Sequence, residues 1–169
     1  VYLAGPMYQC PLGDTIHQSP EGRMIVGETV AACMYEIEKT GGFEPLWPVS
    51  CVLKADVITV TFNKTLSIDT DWVPSVGNLG FTYSDDSGSS DIQSVSVAGN
   101  VCTIQLTSAP TGANPRIEYA MLNGVDSDGW ANGLGNIYSE SGHESLFSKL
   151  GFQVPKTVRH YSVRFKEML

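Results

Sequence analysis

The sequence predicts a short α/β corner followed by an antiparallel β-sandwich domain with a jelly-roll-like arrangement. Residues 1–42 contain a strand-like apolar run, a loop and an amphipathic run with helical spacing, in that order, as at the edge of an α/β sheet. Residues 51–169 contain mainly short runs in which apolar and polar side chains alternate, the pattern of half-buried strands. Residues 43–50 contain two prolines and a tryptophan and are predicted to form a packed linker.

The bulk composition limits the classes of partner. Hydrophobic residues make up 42% and charged residues 17% of the 169 residues, which is typical of a folded globular protein. The formal net charge is −8 and no basic cluster is present. We therefore expect no nucleic-acid partner and no binding to an anionic membrane surface. No apolar run approaches the ~20 residues of a membrane-spanning helix, and the sequence contains no recognisable signal peptide.

The four cysteines are far apart and include no Cys-x-x-Cys pair. That spacing argues against a zinc site, and a chain of this length does not require a disulfide framework. We predict buried free thiols in a protein made in a reducing compartment: Cys10, Cys33, Cys51 and Cys102. The sequence predicts no metal and no cofactor.

The N-terminal corner is predicted to begin with a buried strand over residues 1–6, which Gly-Pro ends. A helix follows the next loop, because Ser19 fits an N-cap and Pro20 fits the first helical position. Gly41-Gly42 is expected to end that helix. The apolar residues at helical spacing are predicted to form its buried face: Val26, Val30, Cys33, Met34 and Ile37.

The β-rich part is predicted from alternating runs that are separated by turn residues. The runs lie at residues 56–63, 67–69, 80–83, 92–97, 101–106, 116–120 and 157–165. Gly99-Asn100 lies between two of them and predicts a hairpin. The run at 157–165 is predicted to be a single strand.

The candidate catalytic residues are Asp14 and His17, which lie three positions apart in the loop before the helix. A serine hydrolase needs a base that takes the hydroxyl proton and a carboxylate that fixes the tautomer of that base. An Asp three residues before a His supplies both groups if the loop folds back on itself. For the spacing alone, a solvated polar loop is the usual explanation.

The surrounding residues resemble the last sequence block of the SGNH (GDSL-type) hydrolases. In that family a strand leads to an Asp-x-x-His loop and then to a helix that opens with Ser/Thr-Pro-x-Gly. Here residues 1–6, 14–17 and 19–22, together with Gly27, match this order. The resemblance implies that residues 1–42 are the C-terminal end of a three-layer SGNH-type fold, with His17 as general base and Asp14 as its orienting partner. The implied reaction is ester hydrolysis, commonly the removal of acetyl groups from carbohydrate.

The resemblance stops short of a complete active site. The Gly-Asp-Ser block that carries the family's nucleophile is missing, as are its Gly and Asn blocks. Ser19 is better explained as a helix cap, and Ser127 lies far downstream in the β-rich part. The nucleophile is therefore expected from an upstream portion of the same protein or from another chain. This chain alone is predicted to be inactive.

The β-rich part resembles domains appended to sialate-O-acetylesterase-like enzymes and found in phage tail spikes, on the strength of residues 59–63, 116–120 and 135–139. That resemblance implies a glycan contact, an O-acetylated glycan or other ester as substrate, and a location on a virion tail or outside the cell. The alternative function is a non-catalytic carbohydrate-binding or assembly module. A homo-oligomer remains open.

Other residues are weaker candidates. Trp130 lies in a loop rich in Gly, Asn and Asp, where an exposed aromatic ring can stack on a sugar. Packing is the simpler role for Trp47, Trp72 and Tyr138. Residues 126–129 with Asn132 offer oxygen ligands for Ca²⁺, but a plain turn explains them better. Surface or sheet positions are expected for His143 and His160.

Overall fold

The computed structural model describes residues 1–89, 91–121, 129–130 and 133–169, and across these residues it is built mostly of antiparallel strands. The helices are α1 (Pro20–Thr40) and α2 (Leu146–Lys149). The strands are β1 (Pro48–Lys54), β2 (Val57–Phe62), β3 (Ser67–Ile68), β4 (Phe81–Asp85), β5 (Gly88–Ser89), β6 (Ile92–Ala98), β7 (Val101–Leu106), β8 (Arg116–Tyr119), β9 (Ile137–Glu144), β10 (Thr157–Tyr161) and β11 (Phe165–Met168). Neither helix is long and apolar enough to cross a membrane.

The ends of α1 lie where the sequence predicts them. The Ser19 hydroxyl accepts a hydrogen bond of 3.1 Å from the Gly22 N–H, and Pro20 opens the helix. At the other end Gly41 adopts a left-handed conformation (φ +83°), and its N–H donates to the Ile37 carbonyl. Both predictions are confirmed. The sequence alone could predict these ends because capping depends on residues close in sequence.

The predicted buried face of α1 is only partly right. Cys33 is buried and Val26 and Ile37 are half-buried, but Val30 is 41% and Met34 is 64% exposed. The buried residues of α1 are Gly22, Ile25, Thr29, Ala32 and Cys33. This stripe is displaced by about one residue, or roughly 100° around the helix, from the most apolar stripe. The strands cover a mixed stripe, and a more apolar one remains exposed.

The predicted strand over residues 1–6 is wrong. These residues pair with no strand in the described part of the chain, and Val1, Tyr2 and Leu3 are exposed. The Tyr2 hydroxyl donates to the carbonyl of Gly41 at 3.2 Å, so the segment runs past the C-terminal end of α1. An apolar run forms a strand only where another strand supplies the hydrogen bonds.

Three antiparallel sheets account for the strands of the described residues. Their strand orders are β1-β2-β7-β6, β10-β9-β3 and β11-β8-β4-β5. The β-rich prediction is confirmed, and the strands predicted between residues 56 and 120 match β2, β3, β4, β6, β7 and β8 closely. The hairpin at Gly99-Asn100 is confirmed as well, with Ala98 opposite Val101.

The C-terminal run and the linker differ from the prediction. Residues 157–165 form two strands, because the chain leaves one sheet at Tyr161 and enters another at Phe165. Ser162 donates to the Ile137 carbonyl at 3.1 Å, and Val163 donates to the Leu46 carbonyl at 3.0 Å. Such a change of sheet depends on distant partners, so alternation alone does not mark it. Strand β1 begins at Pro48, inside the predicted linker.

One hydrophobic core joins the sheets and the N-terminal segment. The Phe62 ring on β2 and the Phe165 ring on β11 pack edge to face, with centroids 6.0 Å apart. Tyr8, from the segment before Asp14, and Leu46, from the linker, belong to the same buried cluster. The division into residues 1–42, 43–50 and 51–169 stays a prediction. What the packing establishes is that the segment leading to Asp14 is fixed to the strands.

Candidate functional site

The loop that carries Asp14 and His17 is closed by backbone hydrogen bonds. Leu12 and Gln18 form an antiparallel bridge, and the Gly13 N–H donates to the His17 carbonyl at 2.8 Å. The Leu12 N–H also donates to the Gly129 carbonyl at 2.6 Å. Residues 12–18 therefore form a short closed loop, which we call the dyad loop, and the β-rich part holds it at its base.

Helix α1 fixes the other side of the dyad loop. Gly22, in the first turn, lies so close to the loop that a Cβ there would stand 2.5 Å from the Pro11 carbonyl oxygen. Ser19 caps the helix directly after the loop ends. The Ser-Pro-x-Gly pattern thus has a local explanation: it starts a helix and lets its first turn touch the loop.

The Asp14 carboxylate is held by the backbone before it reaches the imidazole. Its Oδ1 accepts hydrogen bonds from the N–H groups of Ile16 (2.8 Å) and His17 (2.7 Å). Its Oδ2 lies 2.8 Å from Nδ1 of His17. This contact favours the tautomer with the proton on Nδ1, which leaves Nε2 as an acceptor. The structure therefore brings the two predicted site residues together.

The charge of Asp14 is stable. The backbone N–H groups of His17 and Ile16, and then the imidazole, hold the pKa of its carboxyl far below the usual range. Both side chains are open to solvent, with 67% of His17 and 55% of Asp14 exposed. The arrangement offers an oriented imidazole nitrogen at an open surface of the described chain.

The imidazole of His17 has no serine partner among the described residues. None of their serine hydroxyls forms a hydrogen bond with the His17 ring, and the Ser19 hydroxyl is occupied by the N–H of Gly22. Ser127 lies outside the described residues. The described part thus contains an Asp–His pair, and no serine hydroxyl bonded to its imidazole.

Trp130 lies beside the base of the dyad loop rather than on a free surface. It is half-buried, follows Gly129, and packs edge to face on Trp72 with ring centroids 5.7 Å apart. The Trp72 indole N–H donates to the Gln9 carbonyl at 2.9 Å. Loop composition predicted a more exposed ring. The contact with Trp72 explains the difference, because paired indoles bury area that single rings leave open.

Of the other aromatic candidates, Trp47 is exposed and Tyr138 is buried. Trp47 is 45% exposed, so the packing predicted for it is only partial. Tyr138 is 8% exposed and lies under the Arg159 guanidinium at 4.7 Å from the ring centroid, as a packing role requires. Among the described residues, neither side chain forms a hydrogen bond with the dyad loop.

A buried ionic group near Trp72 was not predicted. Asp69 is fully buried, accepts from the N–H groups of Trp72 and Val73, and contacts the hydroxyl of Tyr161. Arg159 lies 3.2 Å from Asp69 and holds the exposed Asp71 through two hydrogen bonds of 2.7 and 3.0 Å. The partners are about ninety positions apart in the chain. A single sequence gives no signal for such a pairing.

His160 lies in a sheet, as predicted, but its burial against α1 was not predicted. It lies on β10, is 2% exposed, and faces α1, where Glu36 Oε1 is 3.6 Å from its Nε2. That distance is too long for a hydrogen bond. Burial, followed by the nearby charge of Lys64, lowers the pKa of His160, although Glu36 opposes the shift. A neutral imidazole therefore lies between the helix and the sheet.

The cysteines match the prediction of free thiols. All four cysteines are free, with Cys10, Cys33 and Cys102 buried and Cys51 half-buried. Burial raises the pKa of Cys10 and of Cys102 to about 12. Among the described residues no three His, Cys, Asp or Glu side chains are grouped so as to hold a metal ion. Residues 126–128 and Asn132, the Ca²⁺ candidates, lie outside them.

Comparison with known proteins finds structural similarity to one solved structure. No family model matches the sequence, and no curated protein matches it. A crystal structure described as a novel carbohydrate acetylesterase from Xanthomonas citri superposes with a TM-score of 0.54 at 10% sequence identity. The match covers 94% of this chain and 31% of that esterase. It shows a shared fold, and this chain spans less than a third of the esterase's length.

Proposed function

We propose that this chain is the C-terminal portion of a serine carbohydrate esterase of the SGNH type, which removes acetyl groups from glycans. The observation that carries the proposal is the 2.8 Å contact between Asp14 Oδ2 and His17 Nδ1, with Asp14 Oδ1 held by two backbone N–H groups. The shared fold with a carbohydrate acetylesterase supports the same reaction class.

In the proposed reaction, Nε2 of His17 takes the proton of a serine hydroxyl as the serine oxygen attacks the acetyl carbonyl. Asp14 stabilises the imidazolium that forms. The imidazolium then gives its proton to the sugar oxygen, which leaves as the alcohol, and the acetyl group stays on the serine. Water, activated by the same imidazole, hydrolyses the acetyl-serine and releases acetate.

The serine is supplied, in this proposal, by an upstream portion of the same protein. The support is an apolar surface on the N-terminal corner, which we call the outer face: Tyr2, Leu3, Met7, Val30 and Met34, each at least 41% exposed. A set of apolar side chains exposed together commonly marks a covered surface. The acetylesterase of the same fold is about three times longer than this chain, which leaves room for such a portion.

The decisive experiment assays acetate release from an aryl acetate and from acetylated oligosaccharides. It uses the longest polypeptide that contains this chain. Replacing His17 by Ala or Asp14 by Asn should lower kcat/KM by about 10³–10⁴-fold, since each change removes the base or its orientation. The matched control is His143→Ala, on β9 and outside the dyad loop, which should keep activity.

The isolated 169-residue chain should release no acetate in the same assay. Full activity of the longer polypeptide with His17→Ala, or activity of the isolated chain that this substitution abolishes, would contradict the proposal.

The second candidate function is a non-catalytic glycan-binding or assembly module of a tail spike or secreted enzyme. The observation that favours it is the exposure of both dyad side chains, together with the lack of a serine hydroxyl on His17 among the described residues. In that case the longer polypeptide would bind glycan and release no acetate. A virion tail or an extracellular location suits both candidates and stays a proposal.

A further inference from the structure

A groove of about 390 Å³ opens between the turn after β3 and the segment after α2. We call it the α2 groove and define it by six of its lining residues: Asp71, Trp72, Ser148, Phe152, Gln153 and Lys156. It is separate from the dyad side chains. None of the roles assigned above uses it as a site.

The α2 groove combines aromatic rings with hydrogen-bonding groups. Trp72 is partly exposed and Phe152 is 44% exposed, so both rings are open to a ligand. Around them lie the carboxylate of Asp71, the amide of Gln153, the ammonium of Lys156 and the hydroxyl of Ser148. A pyranose ring needs this combination, because its C–H faces pack on aromatic rings while its hydroxyls donate and accept hydrogen bonds.

Parts of both walls of the groove are held in place by contacts within the chain. The Trp72 indole N–H is bonded to Gln9, and Arg159 holds the Asp71 carboxylate through two hydrogen bonds. On the opposite wall the Phe152 N–H donates to the Phe147 carbonyl at 3.0 Å, and the two rings are 5.9 Å apart. A ligand would therefore pay little conformational entropy for ordering these walls.

The groove lies against the segment that leads into the dyad loop. Val154, also in its lining, packs in a small buried cluster with Cys10 and Ile25. Trp72 packs against this cluster, and its edge contacts Trp130, next to the Gly129 that holds the loop. A glycan in the groove would be bound by the same packed unit that positions Asp14.

We propose that the α2 groove binds a neutral pyranose unit of an oligosaccharide. Neutral sugars are favoured because Asp71 and Lys156 give the lining one charge of each sign, while the net charge of −8 on the whole chain disfavours uronic acids. Binding in the groove does not depend on the dyad. The groove would also serve as a subsite for a sugar unit of the acetylated glycan that lies at a distance from the reacting ester. That role rests on the proposed function.

The test titrates the 169-residue chain with a panel of neutral oligosaccharides built from glucose, xylose, mannose or galactose, and with a matched oligogalacturonide. Calorimetry measures the affinity, and two-dimensional NMR follows the indole N–H signals. At least one neutral oligosaccharide should bind and shift the indole signal of Trp72, which Trp72→Phe identifies. Phe152→Ala and Gln153→Ala should each weaken binding about tenfold, because each removes a ring or amide contact of a site whose walls are partly held in place.

The matched control is Trp47→Ala, which removes an exposed indole outside the groove and should leave the affinity unchanged. Phe152 is exposed, so its variant should fold, and circular dichroism verifies that. The proposal fails if no neutral oligosaccharide binds, if the oligogalacturonide binds more tightly, or if only Trp47→Ala weakens binding. Loss of acetate release in the longer polypeptide with His17→Ala, while glycan binding persists, separates the groove from the dyad. Binding without any esterase activity would overturn the proposed function and leave the groove in place.

Discussion

The two oxygens of the Asp14 carboxylate have different partners. Oδ1 accepts from two backbone N–H groups and sets the position of the side chain, whereas Oδ2 faces the imidazole. The same backbone bonds keep the pKa of the carboxyl far below neutral. The orientation of His17 is therefore determined within the dyad loop itself. Under the proposed function, the upstream portion would need to supply only a hydroxyl and an oxyanion site.

Gly22 provides a test of how tightly the loop depends on α1. In Gly22→Ala the new Cβ would stand 2.5 Å from the Pro11 carbonyl oxygen, so the loop or the first helical turn must move. We expect the free energy of unfolding to fall by about 1–3 kcal/mol, measured by urea denaturation. Proton NMR of the 169-residue chain should also show a shifted His17 ring.

Gly27 supplies the matched control for that substitution. It lies in the same helix, and a Cβ there would have open space within 4 Å. Gly27→Ala should raise the free energy of unfolding by about 0.5–1 kcal/mol, since alanine favours helix more than glycine does. If Gly22→Ala were as stable as Gly27→Ala, the close approach of helix and loop would not constrain the site.

At the scale of elements, His160 lies buried at the contact between α1 and β10, and its protonation bears on the pH dependence of stability. Its pKa is lowered in the folded state by burial, so the folded protein holds it neutral while the unfolded chain protonates it near pH 6.5. Protons then bind more to the unfolded state, and this contribution to stability is lost as pH falls from about 6.5 through the folded pKa.

The groups that face His160 bear on the same pH range. They are Glu36 from α1, which opposes the shift, and Lys64 and His143, which add to it. His160→Gln should remove much of the fall in the melting temperature between pH 7 and pH 5.5. His143→Gln, its control from β9, should retain more of that fall. An unchanged pH profile in His160→Gln would rule out this origin.

The elements also show which predictions a single sequence supports. The ends of α1 and the hairpin at Gly99-Asn100 were predicted correctly, because each depends on residues a few positions apart. The buried face of α1 was predicted only in part, since the apolar pattern identifies the most hydrophobic stripe and not the stripe that neighbours cover. The strand at residues 1–6 failed for the same reason: its pairing depends on a partner that lies elsewhere.

For the whole molecule, substitutions in the outer face should affect the activity of the longer polypeptide and leave the stability of this chain nearly unchanged. Val30 and Met34 are exposed on α1, so Val30→Glu with Met34→Glu should change the free energy of unfolding of the 169-residue chain by only about 0.5 kcal/mol per site. The same pair of charges should abolish acetate release in the longer polypeptide, because they would be buried against an apolar surface.

The matched control places two glutamates on the opposite, strand-bearing part of the surface, at Val49 and Val52 of β1, which are 58% and 54% exposed. That variant should retain activity. Equal activity of the α1 variant and wild type would mean that the outer face is not covered.

The site as a whole was only partly predictable. Asp14 and His17 were found because their spacing is local and the surrounding pattern resembles a known block. The ionic group of Asp69 and Arg159, and the groove beside it, join segments about ninety residues apart. The residues of the ionic group come together because one three-stranded sheet places β3 and β10 on opposite sides of β9.

The rate at which Cys10 is alkylated can report how often the packing beneath the dyad loop opens. The Cys10 thiol is buried against Ile25 and Val154, and its pKa is raised to about 12, so alkylation must wait for a structural opening. Cys102 is buried in the β-rich core and its pKa is also raised to about 12, so we expect it to react only on wider unfolding. With Cys33 and Cys51 replaced by Ser, Cys10 should be alkylated faster than Cys102 under native conditions, as mass spectrometry of timed samples would reveal. Saturating oligosaccharide should slow the Cys10 reaction selectively, and equal rates for both thiols would mean that loop and core open together.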